Sequence, residues 1–183
     1  MRLLLVLIGA MLLGQVSAQP PKNGAKNKLK VEIAKGKLSV NGKELAVPGD
    51  LPDYEKAFGK PSGVVEDPLS KDDKYIFWNS LGIKASQSQK GKKPVQEITF
   101  SFDPMYDLAA KAQTKPFPGE LFVDGEALTK ATSKDDVRKK IKSGEDTFGS
   151  WRVAYDGATF YININPSDKG TASVSVVQPL VNR

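Results

Sequence analysis

The segment Leu38-Ser39-Val40-Asn41-Gly42-Lys43-Glu44-Leu45 is matched by Leu121-Phe122-Val123-Asp124-Gly125-Glu126-Ala127-Leu128. Each places alternating apolar residues on both sides of Asn-Gly or Asp-Gly. That is the signature of a two-residue type I′ hairpin, whose two central residues must both take positive φ. The downstream pattern also recurs. After the first hairpin, Asp50 is placed to cap a helix and Pro52 falls in its first turn. Leu51, Tyr54, Ala57 and Phe58 form one stripe, and Gly59 and Pro61 stop it. After the second, Ser133 is the cap, Asp136 follows three residues on, Val137 and Ile141 are apolar and Gly144 closes. Tyr54 aligns with Val137 and Phe58 with Ile141.

Strands complete each half. Leu29, Val31 and Ile33 alternate with Lys30 and Glu32 ahead of the first hairpin, and Lys35-Gly36 turns the chain. Tyr75–Trp78, Ile83–Ala85 and Val95–Phe102 follow the first helix. Trp151–Tyr155, Ala158–Asn165 and Thr171–Val177 follow the second, and Ile98 and Phe100 align with Val174 and Val176. Ser62–Lys74 reads as polar and irregular, and a helical turn or two is placed around Asp107–Ala112. The expected division is a first repeat at 29–103, a connector at 104–120, a second repeat at 121–178 and a tail at 179–183. One such half buries little apolar area by itself. The expectation is therefore an α+β fold: two hairpin–helix–strand repeats whose antiparallel strands join edge to edge, with both helices covering one face of the sheet and the other face open.

Composition enters through the compartment. Arg2, the apolar run Leu3–Leu13 and Val16-Ser17-Ala18 read as a secretory signal peptide over 1–18, with a mature start at Gln19 and a Pro-, Asn-, Gly- and Lys-rich leader over 19–28. The run is too short to span a bilayer. The chain has no Cys, so an exported domain would rely on its core without disulfides, and it has no usable Asn-x-Ser/Thr acceptor. These features point to a bacterial periplasmic or secreted protein with no membrane span. The net charge of +6 comes from lysines spread along the chain and reads as a solvated surface, and export argues against nucleic acid as the partner.

Zero His and zero Cys remove the Ser-His-Asp and Cys-His arrangements and any zinc or copper site, and no phosphate-loop, dinucleotide or nucleophile-elbow pattern occurs. No cofactor and no catalytic residue is assigned. Sheet alternation places Trp78, Phe122, Arg152 and Tyr161 on the open face, and these are residue types that anchor protein interfaces. The layout resembles the tandem-repeat exported β-lactamase inhibitor proteins, on the repeated Leu38–Leu45 and Leu121–Leu128 with a helix after each. Tyr75–Ala85 followed by Val95–Phe102 is similar to a pattern in uncharacterised exported bacterial domains, some beside toxin–immunity systems. The resemblance implies a non-enzymatic module that grips a protein partner through an open sheet face. Two other readings stay open. One is an envelope hydrolase with paired carboxylates. The other is a basic module, with Lys84, Lys90, Lys92 and Lys93, that binds an anionic envelope polymer.

Overall fold

The computed structural model describes residues 28–68, 70–88, 94–107, 111–167 and 170–179. Residues 1–27, which hold the expected signal segment and most of the expected leader, Lys90, Lys92, Lys93 and the last four residues lie outside the described residues.

The elements run β1 (Lys30–Ala34), β2 (Lys37–Val40), β3 (Lys43–Leu45), α1 (Leu51–Phe58), β4 (Gly63–Asp67), β5 (Ser70–Trp78), β6 (Ile83–Ser88) and β7 (Val95–Ser101). They continue β8 (Tyr106–Asp107), β9 (Ala112–Gln113), β10 (Glu120–Val123), β11 (Glu126–Leu128) and α2 (Lys134–Lys140). The last four are β12 (Gly144–Thr147), β13 (Ser150–Ala154), β14 (Tyr161–Ser167) and β15 (Gly170–Val177). Both expected hairpin turns form. Asn41 and Gly42 sit at φ 50 and 78, and Asp124 and Gly125 at φ 51 and 85. Ser133 caps α2 by accepting the Asp136 N–H at 3.1 Å. Asp50 occupies the α1 cap position without a side-chain bond.

The strands make two main sheets. The larger is antiparallel throughout, in the order β12-β13-β14-β15-β7-β6-β5-β4. Its middle is the β15–β7 pair, where Val176 faces Ile98, Ser175 faces Thr99 and Val174 faces Phe100. Four strands lie on each side of this seam, so the two halves enter the sheet as matching meanders. The smaller sheet has the order β11-β10-β1-β2-β3. Here β1 pairs antiparallel with β2 and parallel with β10, which places the two type I′ hairpins on either side of it. The inner faces share one apolar cluster: Val31, Ile33, Leu38, Leu121 and Val123 from the small sheet meet Ile76, Ile83, Ile98, Phe100, Ile162, Ile164, Val174 and Val176 from the large one.

This arrangement corrects the α+β expectation. Of the described residues, 53% are in strands and 13% are helical, and the large sheet is covered chiefly by a second sheet. Size supplies the reason. Eight strands at roughly 4.8 Å spacing span roughly 34 Å. An eight-residue helix is about 12 Å long and about 10 Å across, so two short helices cannot cover that face. Each packs on a part of it. The Phe58 ring of α1 meets Trp78 and Phe100 edge-on, at 5.6 and 6.2 Å between centroids. At the C-cap of α2, the Ile141 carbonyl accepts the Trp151 indole N–H at 2.9 Å. The polar stretch 62–74 is also more regular than expected, since it holds β4 and the first part of β5. Asp107 and Ala112, placed in a helical turn by the sequence, instead pair across the short β8–β9 ladder.

Two glycines separate backbone conformation from crowding. Gly42 has positive φ, and an added Cβ would meet nothing within 4 Å. Gly82 also has positive φ, but a Cβ there would come within 2.5 Å of the Lys115 carbonyl and the Phe117 N–H. Gly42→Ala should cost about 1 kcal/mol, from conformation alone. Gly82→Ala should cost about 3 kcal/mol, because the connector backbone must also move. Denaturant midpoints of the two variants check the difference, and equal losses would contradict the packing described.

Candidate functional site

The outer face of the large sheet carries rows of mostly polar residues, interrupted by Val177 and, beside Lys84, by the buried Phe77. Register places Arg152, Asn163, Ser175, Thr99 and Lys84 across it in one row, and Tyr161, Val177, Glu97, Ser86 and Tyr75 in the next. Period-two alternation explains why, since the apolar partners of these residues point into the core. Across the β13–β14 pair, Arg152 lies diagonal to Tyr161. Its guanidinium sits 4.6 Å from the Tyr161 ring centroid, and its Nε donates to Asn163 Oδ1 at 3.5 Å. At the other side of the face, Lys84 Nζ lies 4.7 Å from the Tyr75 ring centroid. Thr99 and Ser175 join hydroxyls at 2.9 Å over the seam, and Thr99 also donates to Glu97. A further row continues these contacts, with Ser150 to Asn165 at 2.7 Å and Asn165 to Ser173 at 3.0 Å.

The four residues singled out from the sequence fall in three places. Arg152 and Tyr161 stack together on this outer face, both half-buried. Trp78 is 1% exposed and lies in the core, with its indole N–H donating to the Gly59 carbonyl at 2.7 Å. Phe122 lies on the outer face of the small sheet, 5.1 Å from Lys30 Nζ. Trp78 and Phe122 are therefore not part of the surface that holds Arg152 and Tyr161. Of the lysines proposed as a basic cluster, Lys84 is on the outer face, and Lys90, Lys92 and Lys93 lie outside the described residues.

The sequence reading missed Tyr75, Asn163 and Phe148. Phe148 is fully exposed at the β12–β13 turn, with φ 48, a conformation that bulky residues rarely adopt. A Phe-Gly turn at a hairpin position that favours Asn-Gly was the available signal. Among the described residues, no three His, Cys, Asp or Glu side chains gather to hold a metal ion. None of their helices is long and apolar enough to cross a membrane.

Three tyrosines are held in the neutral form. A hydrogen bond to Asp67, with added burial and nearby acids, pushes Tyr75 up to about 12. Burial is the main cause of the upward shift at Tyr54, and at Tyr155 burial acts together with a bond to Asp124.

Against known proteins, the chain belongs to the family described as Domain of unknown function (DUF7738), whose family model matches residues 30–138. That match runs from β1 into α2 and leaves β12–β15 outside it. No curated protein and no solved structure matches the chain.

Two outcomes follow from this geometry. Trp78→Ala should lower stability by about 3–5 kcal/mol, as expected for a buried aromatic. Tyr161→Ala should cost less than about 1.5 kcal/mol, because its ring lies outside the core. Urea unfolding of both variants tests the assignment, and it fails if Trp78→Ala is the milder. The raised tyrosine pKa values also set a direction with pH. Folding holds these protons more tightly than the unfolded chain does, so the stabilisation is complete below pH about 10 and is lost as the groups ionise above it. Denaturant midpoints should fall between pH 10 and 12, and Asp67→Asn should bring the Tyr75 phenolate absorbance in at lower pH.

Proposed function

We propose that this chain is an exported, non-enzymatic binding module of inhibitor or immunity type that takes a protein partner against the outer face of its eight-stranded sheet. The observation that carries this reading is Arg152 stacked over Tyr161 and bonded to Asn163. A guanidinium already stacked on a ring, with a long contact to an amide, loses less side-chain freedom on binding, and its remaining N–H groups suit a carboxylate or carbonyl of the partner. Tyr and Arg are also the types that concentrate binding energy at interfaces. The neighbouring part-exposed Ser150, Asn163, Asn165 and Ser173 offer hydrogen bonds without a large apolar patch, and Phe148 adds an exposed aromatic at the β12–β13 turn. Export rests on the signal segment 1–18, and the absence of Cys and His fits a binding role better than a catalytic one.

The test uses the mature protein on beads, challenged with envelope extract. Wild type and Phe122→Ala should capture the same partner. Tyr161→Ala and Arg152→Glu should each reduce capture at least about tenfold, the size of a moderate interface hot spot. Equal capture by all four proteins would remove the outer face from the reading. Mass spectrometry of the exported protein should give an N-terminus at Gln19, and an intact Met1 would remove export.

A further inference from the structure

We propose that a cavity at the margin of the five-stranded sheet, apart from the outer face of the large sheet, binds a small amphipathic carboxylate: one acid headgroup on an apolar body. Its volume is about 620 Å³, within the range of small-molecule sites, which are mostly apolar with a few placed polar groups. The floor is made by Phe102, Phe117, Leu121 and Leu128, all nearly buried. This floor is held firmly. The Phe117 N–H donates to the Ser101 carbonyl at 2.6 Å, and its ring meets Phe100 and Phe102 edge-on at 5.3 and 6.3 Å. At Gly119, also on the lining, a Cβ would run into the Leu29 carbonyl and the Phe117 ring, so only a bare backbone fits beside that ring.

The charged groups on the lining decide the headgroup. They are Lys28, Lys130 and Glu120, with Asp103 beside Lys130 just off the lining, which leaves Lys28 as the cation with no acid paired to it among the described residues. Lys130 Nζ lies 2.5 Å from the Asp103 carboxylate, but both side chains are substantially exposed at 55% and 38%. A pair so open to water contributes little, and Lys130 can exchange Asp103 for a ligand carboxylate at small cost. Lys28 forms no ion pair among the described residues. An apolar body can therefore rest on the phenyl rings while its carboxylate meets Lys28 and Lys130. Glu120 disfavours a second negative charge, which points to a monoacid.

The probes are 8-anilinonaphthalene-1-sulfonate, an aromatic body with one acid group, and dodecanoate as competitor, applied to the full mature protein. One probe should bind per chain, with a rise in fluorescence. Dodecanoate should displace it, while dodecanol and dodecylammonium should do so at least about tenfold less well, because the lysines favour the acid. Lys28→Glu and Lys130→Glu should each weaken dodecanoate about fivefold or more by turning attraction into repulsion. Glu120→Gln should strengthen it, and Lys37→Glu, in a small-sheet strand outside the cavity lining, should leave it unchanged. All of these are surface changes, and unaltered melting curves confirm intact folds. The proposal is overturned if the alcohol or the ammonium competes as well as the acid, or if the lysine reversals leave affinity within twofold. A dimer that the probe dissociates would assign the cavity to a second copy of the chain and would also overturn it. Neither result bears on capture by the Arg152–Tyr161 face.

Discussion

The antiparallel pairing of β7 with β15 is the contact on which the rest of this structure depends. It joins two four-stranded meanders into one eight-stranded sheet, and it is finished on both faces. Inward, Ile98, Phe100, Val174 and Val176 are fully buried, each worth on the order of 1.5–3 kcal/mol as side-chain burial. Outward, Thr99 and Ser175 share a hydrogen bond between hydroxyls that are themselves mostly buried. Without this seam each meander would expose an edge strand of apolar residues, a template for wrong pairing.

A second constraint fixes what lies opposite. The strand β1 receives β2 on one side and β10 on the other, so one short alternating segment gathers the hairpins of both halves into a single sheet. The chain thus has two tie points, the seam in the large sheet and β1 in the small one. Side chains from both are packed in the same apolar cluster. With no disulfide available, this double tie is how two halves, each too small to bury enough surface, share one core.

Much of this was legible locally. Asn41-Gly42 and Asp124-Gly125 announced their hairpins because few other pairs accept two successive positive φ values. Tyr54 and Phe58, and Val137 and Ile141, announced helices by spacing, and all four are buried. What the sequence hid was long-range. Nothing in Val31 or Leu121 specifies that their strands lie side by side in parallel, and only that pairing makes a second sheet out of the hairpins. The edge strand β4 was hidden because its Glu66 and Asp67 obey no core-facing alternation. At Trp78 the alternation was read correctly, with Ile76 on the same face and Tyr75 and Phe77 on the other. The error was in which face is inside, since a period-two pattern fixes relative orientation and leaves the choice of core face to the packing partner. Phe122 was likewise placed rightly as outward-facing, but it faces outward from the other sheet. Arg152 and Tyr161 could be paired because neighbouring strands joined by Asp156-Gly157 bring diagonal positions together.

The division of labour between the faces limits how this molecule can recognise anything. Its core takes up most of the large apolar side chains, and among the described residues the exposed large hydrophobics are Val64, Tyr106 and Phe148. They lie on an edge strand, on the short β8–β9 ladder and at a hairpin turn. Scattered residues of this kind do not form the apolar patch that would support association by burial alone. Binding on the large sheet, as proposed, would work through oriented polar groups, and those are costly to place unless they are fixed beforehand. The ring beneath Arg152, the amide beside it and the hydroxyl pair at the seam all restrict side chains before any partner arrives. The sheet thus provides a rigid polar surface, and its rigidity derives from the same strand pairing that builds the core.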